Sequence, residues 1–192
     1  MEQIDYEVDE FIDYCTSKNL LTKTIGSYEQ TLRLLTQYLK DNYKVKSAGD
    51  TKKLHIREYI KYLQERGKYT VVSNQNSKII NFPENREDYG KKISTTTINN
   101  YIRNIKVFYN YLYENRYIMT NPVARIKEIK CARKVVGFID DENFNRLLKA
   151  FDLSKFHEYR DYVVAQLIFD TGMRLGETLA IEETDIDFIR RT

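Results

Sequence analysis

The sequence predicts a mainly α-helical protein. A four-helix bundle is expected over residues 1–125, a basic connection over 126–137, and the N-terminal part of a mixed α/β domain over 138–192. Three observations carry this. Four stretches before residue 115 repeat apolar residues at helical spacing. A nearly continuous apolar run at 159–170 calls for a second core. Basic charge is concentrated in one segment between the two. A chain of 192 residues has room for two small domains.

The elements follow in order. Ile4, Val8, Phe11, Ile12 and Cys15 share one face of a first helix. Thr24 can cap a second, with the stripe Ile25, Tyr28, Leu32, Leu35 and Leu39. Ile56, Tyr59, Ile60 and Leu63 mark a third that ends at Gly67. The fourth opens on the Ser94–Thr97 run and carries Ile98, Tyr101, Ile102, Ile105, Phe108, Tyr109 and Leu112. Asn121-Pro122 closes that region, because a residue before proline avoids the helical basin. Between helices three and four, "YTVV" and "KIINF" flank "SNQNS", a possible short hairpin or a loop. In the second region, Asp140 or Asp141 caps a helix bearing Phe144, Leu147 and Leu148. The 159–170 helix should be central to its core, "GETLAI" should start another helix, and "DIDFIRRT" reads as a strand.

Charge narrows the functional classes. Residues 1–90 hold 14 basic and 14 acidic side chains, residues 91–135 hold 10 and 2, and residues 136–192 hold 7 and 12. A central segment of net +8 between neutral and acidic parts is a candidate polyanion footprint. Cys15 and Cys131 lie far apart and read as reduced thiols. With only His55 and His157 besides, no metal site is expected. No apolar run reaches membrane-spanning length, and the acidic N-terminus is unlike a signal peptide, which points to the cytoplasm.

Candidate DNA contacts follow from residue type. Asn99, Asn100, Arg103 and Lys106 lie opposite the apolar stripe of the fourth helix, and Asn and Arg are side chains that can read adenine and guanine edges. Ser94, Thr95, Thr96 and Thr97 stand at its N-terminus, where hydroxyls and backbone N–H groups suit a phosphate. Lys23, Thr24, Ser27 and Gln30 open the second helix. Arg125, Lys127, Lys130, Arg133 and Lys134 can track the phosphate backbone.

Three stretches carry a resemblance. "TKTIGSYEQTLRLLTQYL", "STTTINNYIRNIKVFYNYLYENRYIMTNPVARIK" and "DTGMRLGETLAIEETDID" occur in the order and spacing of the tyrosine recombinase (phage integrase) family. The third resembles the family's first catalytic box, T-G-x-R-x-x-E-x-x-x-L. The resemblance implies a SAM-like core-binding bundle followed by the start of the catalytic domain, with the simple, Xer-like architecture. It also implies site-specific recombination of double-stranded DNA, as in integration of a mobile element, through a 3′-phosphotyrosyl intermediate and without a cofactor. The two domains of the family close on the duplex as a clamp, and the complete protein is expected to self-associate on DNA as a tetramer.

On this resemblance Arg174 is the phosphate-binding catalytic arginine and Glu177 its structural support. A guanidinium suits that role because it is always charged and donates two parallel hydrogen bonds to phosphate oxygens. The family's later elements are a hairpin lysine, a His-x-x-Arg box, a further His or Trp, and the tyrosine nucleophile. None has a counterpart before Thr192, so the chain by itself is expected to bind DNA without cleaving it. The alternative is a naturally short, non-catalytic protein that occupies recombination sites.

Overall fold

The computed structural model describes residues 2–73, 78–79, 82–132 and 137–186. The chain divides into two compact units, 1–132 and 133–192. Helices dominate both, and among the described residues the only β-pairing is an isolated bridge between Gly67 and Lys92.

In the first unit, α1 (Gln3–Ser17), α2 (Thr22–Tyr43), α3 (Lys53–Glu65) and α4 (Thr95–Glu114) form the expected four-helix bundle. Each helix forms because its apolar residues fall on one stripe that the other three cover. Ile4, Val8, Phe11 and Cys15 of α1 meet Leu32, Leu35 and Leu39 of α2 in one core. Ile56 and Leu63 of α3 and Ile102, Ile105, Phe108 and Leu112 of α4 complete it. Ile12, Ile25, Tyr28, Ile60 and Tyr101 are half-buried at its rim.

Polar side chains fix how these helices meet. Lys40 on α2 donates to Asp5 on α1 at 2.8 Å, inside the α1–α2 contact. Glu7 accepts from Ser47 Oγ at 2.9 Å and from the Ala48 N–H at 2.7 Å, tying α1 to the turn before α3. The buried hydroxyl of Tyr109 donates to Thr51 at 2.9 Å. A buried hydroxyl without such a partner would cost roughly 1–3 kcal/mol.

The helix ends differ in part from expectation. Ser94 caps α4, accepting from the Thr97 N–H at 3.2 Å. Thr24, by contrast, does not cap α2. That helix begins at Thr22, and the Leu21 carbonyl already accepts from the N–H groups of Thr24 (2.8 Å) and Ile25 (3.1 Å). Thr24 therefore lies within the first turn.

The segment after α4 is the larger correction. The sequence predicts a basic connection over 126–137; its first residues continue the first core, with Ile126 buried beside Val123 and Ile129 packed against them. The apolar residues at 123, 126 and 129 keep a three-residue spacing that lays one side of this basic stretch along the bundle. Between α3 and α4, the "YTVV" half of the supposed hairpin forms turns and bends, and part of "SNQNS" and "KIINF" lies outside the described residues.

The second unit holds α5 (Asp141–Leu148), α6 (Phe156–Thr171) and the single turn α7 (Leu175–Thr178). Asp140 caps α5, accepting from the Asn143 N–H at 2.8 Å. Phe144 stacks on Phe169 with ring centroids 3.7 Å apart. α6 was expected at the centre of a core, but none of its side chains is fully buried. α6 carries no one-sided apolar stripe, and among the described residues its apolar side chains are at most half-buried. The strand expected at "DIDFIRRT" is a 3-10 turn as far as Asp185, and residues 187–192 lie outside the described residues.

Candidate nucleic-acid interface and the Arg174 turn

The N-terminal halves of α2 and α4 lie side by side. Asn104 of α4 donates to the Ser27 carbonyl (3.2 Å), Ser27 Oγ (3.1 Å) and Thr31 Oγ (2.9 Å) of α2. Gln30 of α2 and Thr97 of α4 line one cavity. Two of the expected DNA-contacting groups are thus brought together, while Lys23, Ser27, Thr96 and Asn100 are exposed and Thr24 and Thr95 half-buried. Asn104 was missed by sequence reasoning. Its place between the polar and apolar faces of α4 is the one signal that could have found it.

Asn99 is a correction. It is 7% exposed, and its amide is engaged at both ends. Nδ2 donates to the Ile129 carbonyl at 3.0 Å and Oδ1 accepts from the Ile129 N–H at 2.8 Å. A side chain locked to backbone in this way has no edge to offer a base. Asn99 instead holds the basic segment against the bundle.

Arg103 and Lys106 are also engaged. Arg103 Nε and one terminal nitrogen grip Glu128 at 2.9 and 2.7 Å, and the other donates to Asn100 Oδ1 at 3.2 Å. The hydrogen bond from Arg103 holds the Glu128 carboxyl below its ordinary range. Lys106 Nζ donates to the Ile126 carbonyl at 3.1 Å. Arg103 remains at the surface, but its charge is matched by an acid that a phosphate would have to displace. Arg125, Lys127 and Lys130 are exposed, while Arg133 and Lys134 lie outside the described residues.

In the second unit the chain turns sharply after α6. Gly172 takes φ +69°, a left-handed conformation that glycine adopts without steric penalty, and its N–H donates to the Ile168 carbonyl at 2.9 Å. Arg174 then stands at the N-cap of α7 with extended backbone. Glu177 accepts from the Arg174 N–H at 3.1 Å and from its guanidinium at 2.9 Å. Thr178, buried, donates through its hydroxyl to the Arg174 carbonyl at 3.2 Å. The turn is therefore fixed from three sides, while the Arg174 side chain is 85% exposed. A guanidinium held by one carboxylate oxygen keeps most of its five N–H donors for an oxyanion. Among the described residues no group of His, Cys, Asp and Glu could hold a metal ion, and no helix is long and apolar enough to cross a membrane.

The chain, with its helical bundle of adjacent polar helix starts and its Thr-Gly-x-Arg turn, is similar over nearly its whole length to curated tyrosine recombinases. A tyrosine recombinase of Thermosipho africanus is 25% identical over 187 residues, covering 97% of this chain and 56% of its own length. Tyrosine recombinase XerD of Staphylococcus haemolyticus is 26% identical over 98% of the chain and 55% of its own length. Tyrosine recombinase XerC of Oceanobacillus iheyensis is 24% identical over 98% and 53% respectively. The chain thus spans about half the length of the curated relatives it matches. No family model matches it.

Proposed function

We propose that the protein acts in site-specific DNA recombination, with the 1–132 unit binding duplex DNA and Arg174 gripping the phosphate at which strands are exchanged. The observation that carries the reading is the conjunction of the joined α2 and α4 starts, whose Gln30 and Thr97 line one cavity, with the exposed guanidinium of the Arg174 turn. Ser94, Thr96, Thr97, Lys23, Ser27, Gln30 and Asn100 supply the first contacts. Arg125, Lys127 and Lys130 add backbone neutralisation, and Arg103 joins once Glu128 yields it.

The chemistry follows from charge. Transfer of a phosphodiester to a tyrosine, the reaction the family resemblance implies, builds negative charge on the non-bridging oxygens. A planar, permanently charged donor set held in place stabilises that charge as it forms. Glu177 positions the arginine and takes no proton.

The test is a pair of assays on a cleavage-competent form: duplex affinity, and single-turnover strand cleavage at saturating protein. Arg174→Lys keeps the charge and loses the two-point grip, so affinity should hold while cleavage falls about 10²–10³-fold. Cleavage by Arg174→Lys at the parental rate would reduce the turn to a structural corner.

A further inference from the structure

The described residues between α3 and α4 are not accounted for by the proposed interface, yet several of them border it. The cavity that Gln30 and Thr97 line has a volume of about 300 Å³, and its other walls include Arg66, Lys68, Tyr69 and Arg86. This places a group of cations directly beside the starts of α2 and α4. The segment is held there by a narrow neck. Lys68 N–H donates to the Lys91 carbonyl at 2.8 Å, and Gly90 N–H donates to the Lys68 carbonyl at 3.0 Å. The two backbones approach so closely at Gly67 that a Cβ there would meet Gly90 backbone at 2.7 Å. The neck ties the backbone on either side of Lys68 to that of Gly90 and Lys91.

The cations are also under-neutralised. Lys68 (3.1 Å) and Arg86 (3.3 Å) both lean on the single carboxylate of Asp88, and Arg86 lies over the Tyr69 ring at 4.5 Å. Two positive groups share one negative group. The Arg66 Nε–H is buried without a hydrogen-bond partner among the described residues. Lys91 and Lys92 stand exposed at the neck. An anion at the cavity rim would meet Lys68 and Arg86 beside the Gln30 amide and the Thr97 hydroxyl. A duplex bound on the α2 and α4 starts, as proposed above, would bring phosphates near this rim.

We infer that Lys68 and Arg86, on the two described limbs of the connection between α3 and α4, form a second DNA-contacting element and bind backbone phosphate next to Gln30 and Thr97. The inference rests on the proposed DNA binding by α2 and α4 and extends it to a part of the chain outside those helices. Phosphate contacts of this kind add affinity and fix register without reading bases.

The experiment uses the 192-residue chain and fluorescent duplexes selected by it from random sequence, with affinity measured across a salt series. Lys68→Ala/Arg86→Ala should weaken binding about tenfold and lower the salt slope by about 2, the loss of two phosphate contacts. Asp88→Ala breaks the same two ion pairs but frees both cations, so it should tighten binding. If the ion pairs matter only for folding, both variants weaken binding together. That result, or an unchanged affinity and slope in the double variant, overturns the inference. A parent chain that binds while the variants fail to diverge removes this inference alone. A parent chain that selects no duplex removes the proposed function and this element with it.

Discussion

The two units differ in how far each buries its own apolar residues. In residues 1–132, every helix lays its stripe against the others, and Phe11, Leu32, Leu39, Leu63 and Phe108 are at most 1% exposed. In the second unit, Phe144 and Thr178 alone are buried among the described residues, while Val163 and Phe169 of α6 are more than a third exposed. The sequence pointed the other way, placing the 159–170 helix at the centre of a second core. A one-sided helix such as α4 needs partners on one face, and three helices suffice. α6 has no single apolar face, and among the described residues its apolar side chains are only partly covered. Apolar content alone therefore does not predict where a core forms; the match between stripe width and available cover does.

The largest test of that contrast is truncation on either side of it. Phe108→Ala should lower the stability of the first unit by about 3–5 kcal/mol, because the surrounding helices cannot collapse into the space. Phe169→Ala removes a partly exposed ring and should cost about 1 kcal/mol beyond its stacking on Phe144. Chemical denaturation followed by amide exchange in each unit separates the two. Equal losses would remove the distinction between a closed core and an open one.

Asn99 tests whether the basic segment belongs to the first unit. Asn99→Ala leaves the Ile129 N–H and carbonyl without their partners and should destabilise residues 123–132 by about 1–3 kcal/mol. Amide exchange at Ile129 should accelerate while α1 stays protected. Unchanged exchange at Ile129 would make the segment an independent connection after all.

Glu128 tests whether Arg103 is held in reserve. Glu128→Gln removes the competing charge and should tighten duplex binding a few-fold, since an exposed ion pair contributes little of its own. The same change should leave thermal stability nearly unaltered. Weaker binding would mean that Glu128 positions Arg103 for DNA.

The smallest effect is expected from acid. Burial alone would push the Asp5 carboxyl up, but the hydrogen bonds from Lys40 and the Glu2 N–H, with the charges of Lys40 and Arg33, outweigh it and hold it below its ordinary value. A depressed folded value contributes stability above the unfolded value near 3.8 and loses it as pH falls through the folded one. Asp5→Asn should therefore flatten the acid limb of the first unit's stability profile below about pH 4 and leave neutral pH little changed apart from the lost pair. An identical acid limb in the variant would assign that loss to other carboxylates.

Much of the first unit was legible in the sequence because helical periodicity is a local property. The stripes of α1 to α4, the Ser94 cap and the Asp140 cap all depend on residues within a turn or two of one another. Thr24 was misplaced because the N-cap is Leu21, which has no capping side chain, so residue type does not mark where α2 starts. The Thr171–Glu177 turn was legible for a related reason. Glycine tolerates φ +69°, and a glutamate three residues after Arg174 reaches back to its N–H.

What the sequence by itself determined is therefore the helices, the charge asymmetry and the arginine-bearing turn, each a consequence of spacing along the chain. The tertiary structure decided which polar groups remain free. Asn99 and Arg103 sit on the polar face of α4, as their positions require, but Ile129 and Glu128, 30 and 25 residues later, occupy them. It also decided that Arg66, Lys68 and Arg86 stand beside Gln30, which lies more than thirty residues before them in sequence, as well as Thr97. Hydrogen bonds and ion pairs between distant segments depend on how the backbone returns to the bundle, and no local periodicity encodes that return.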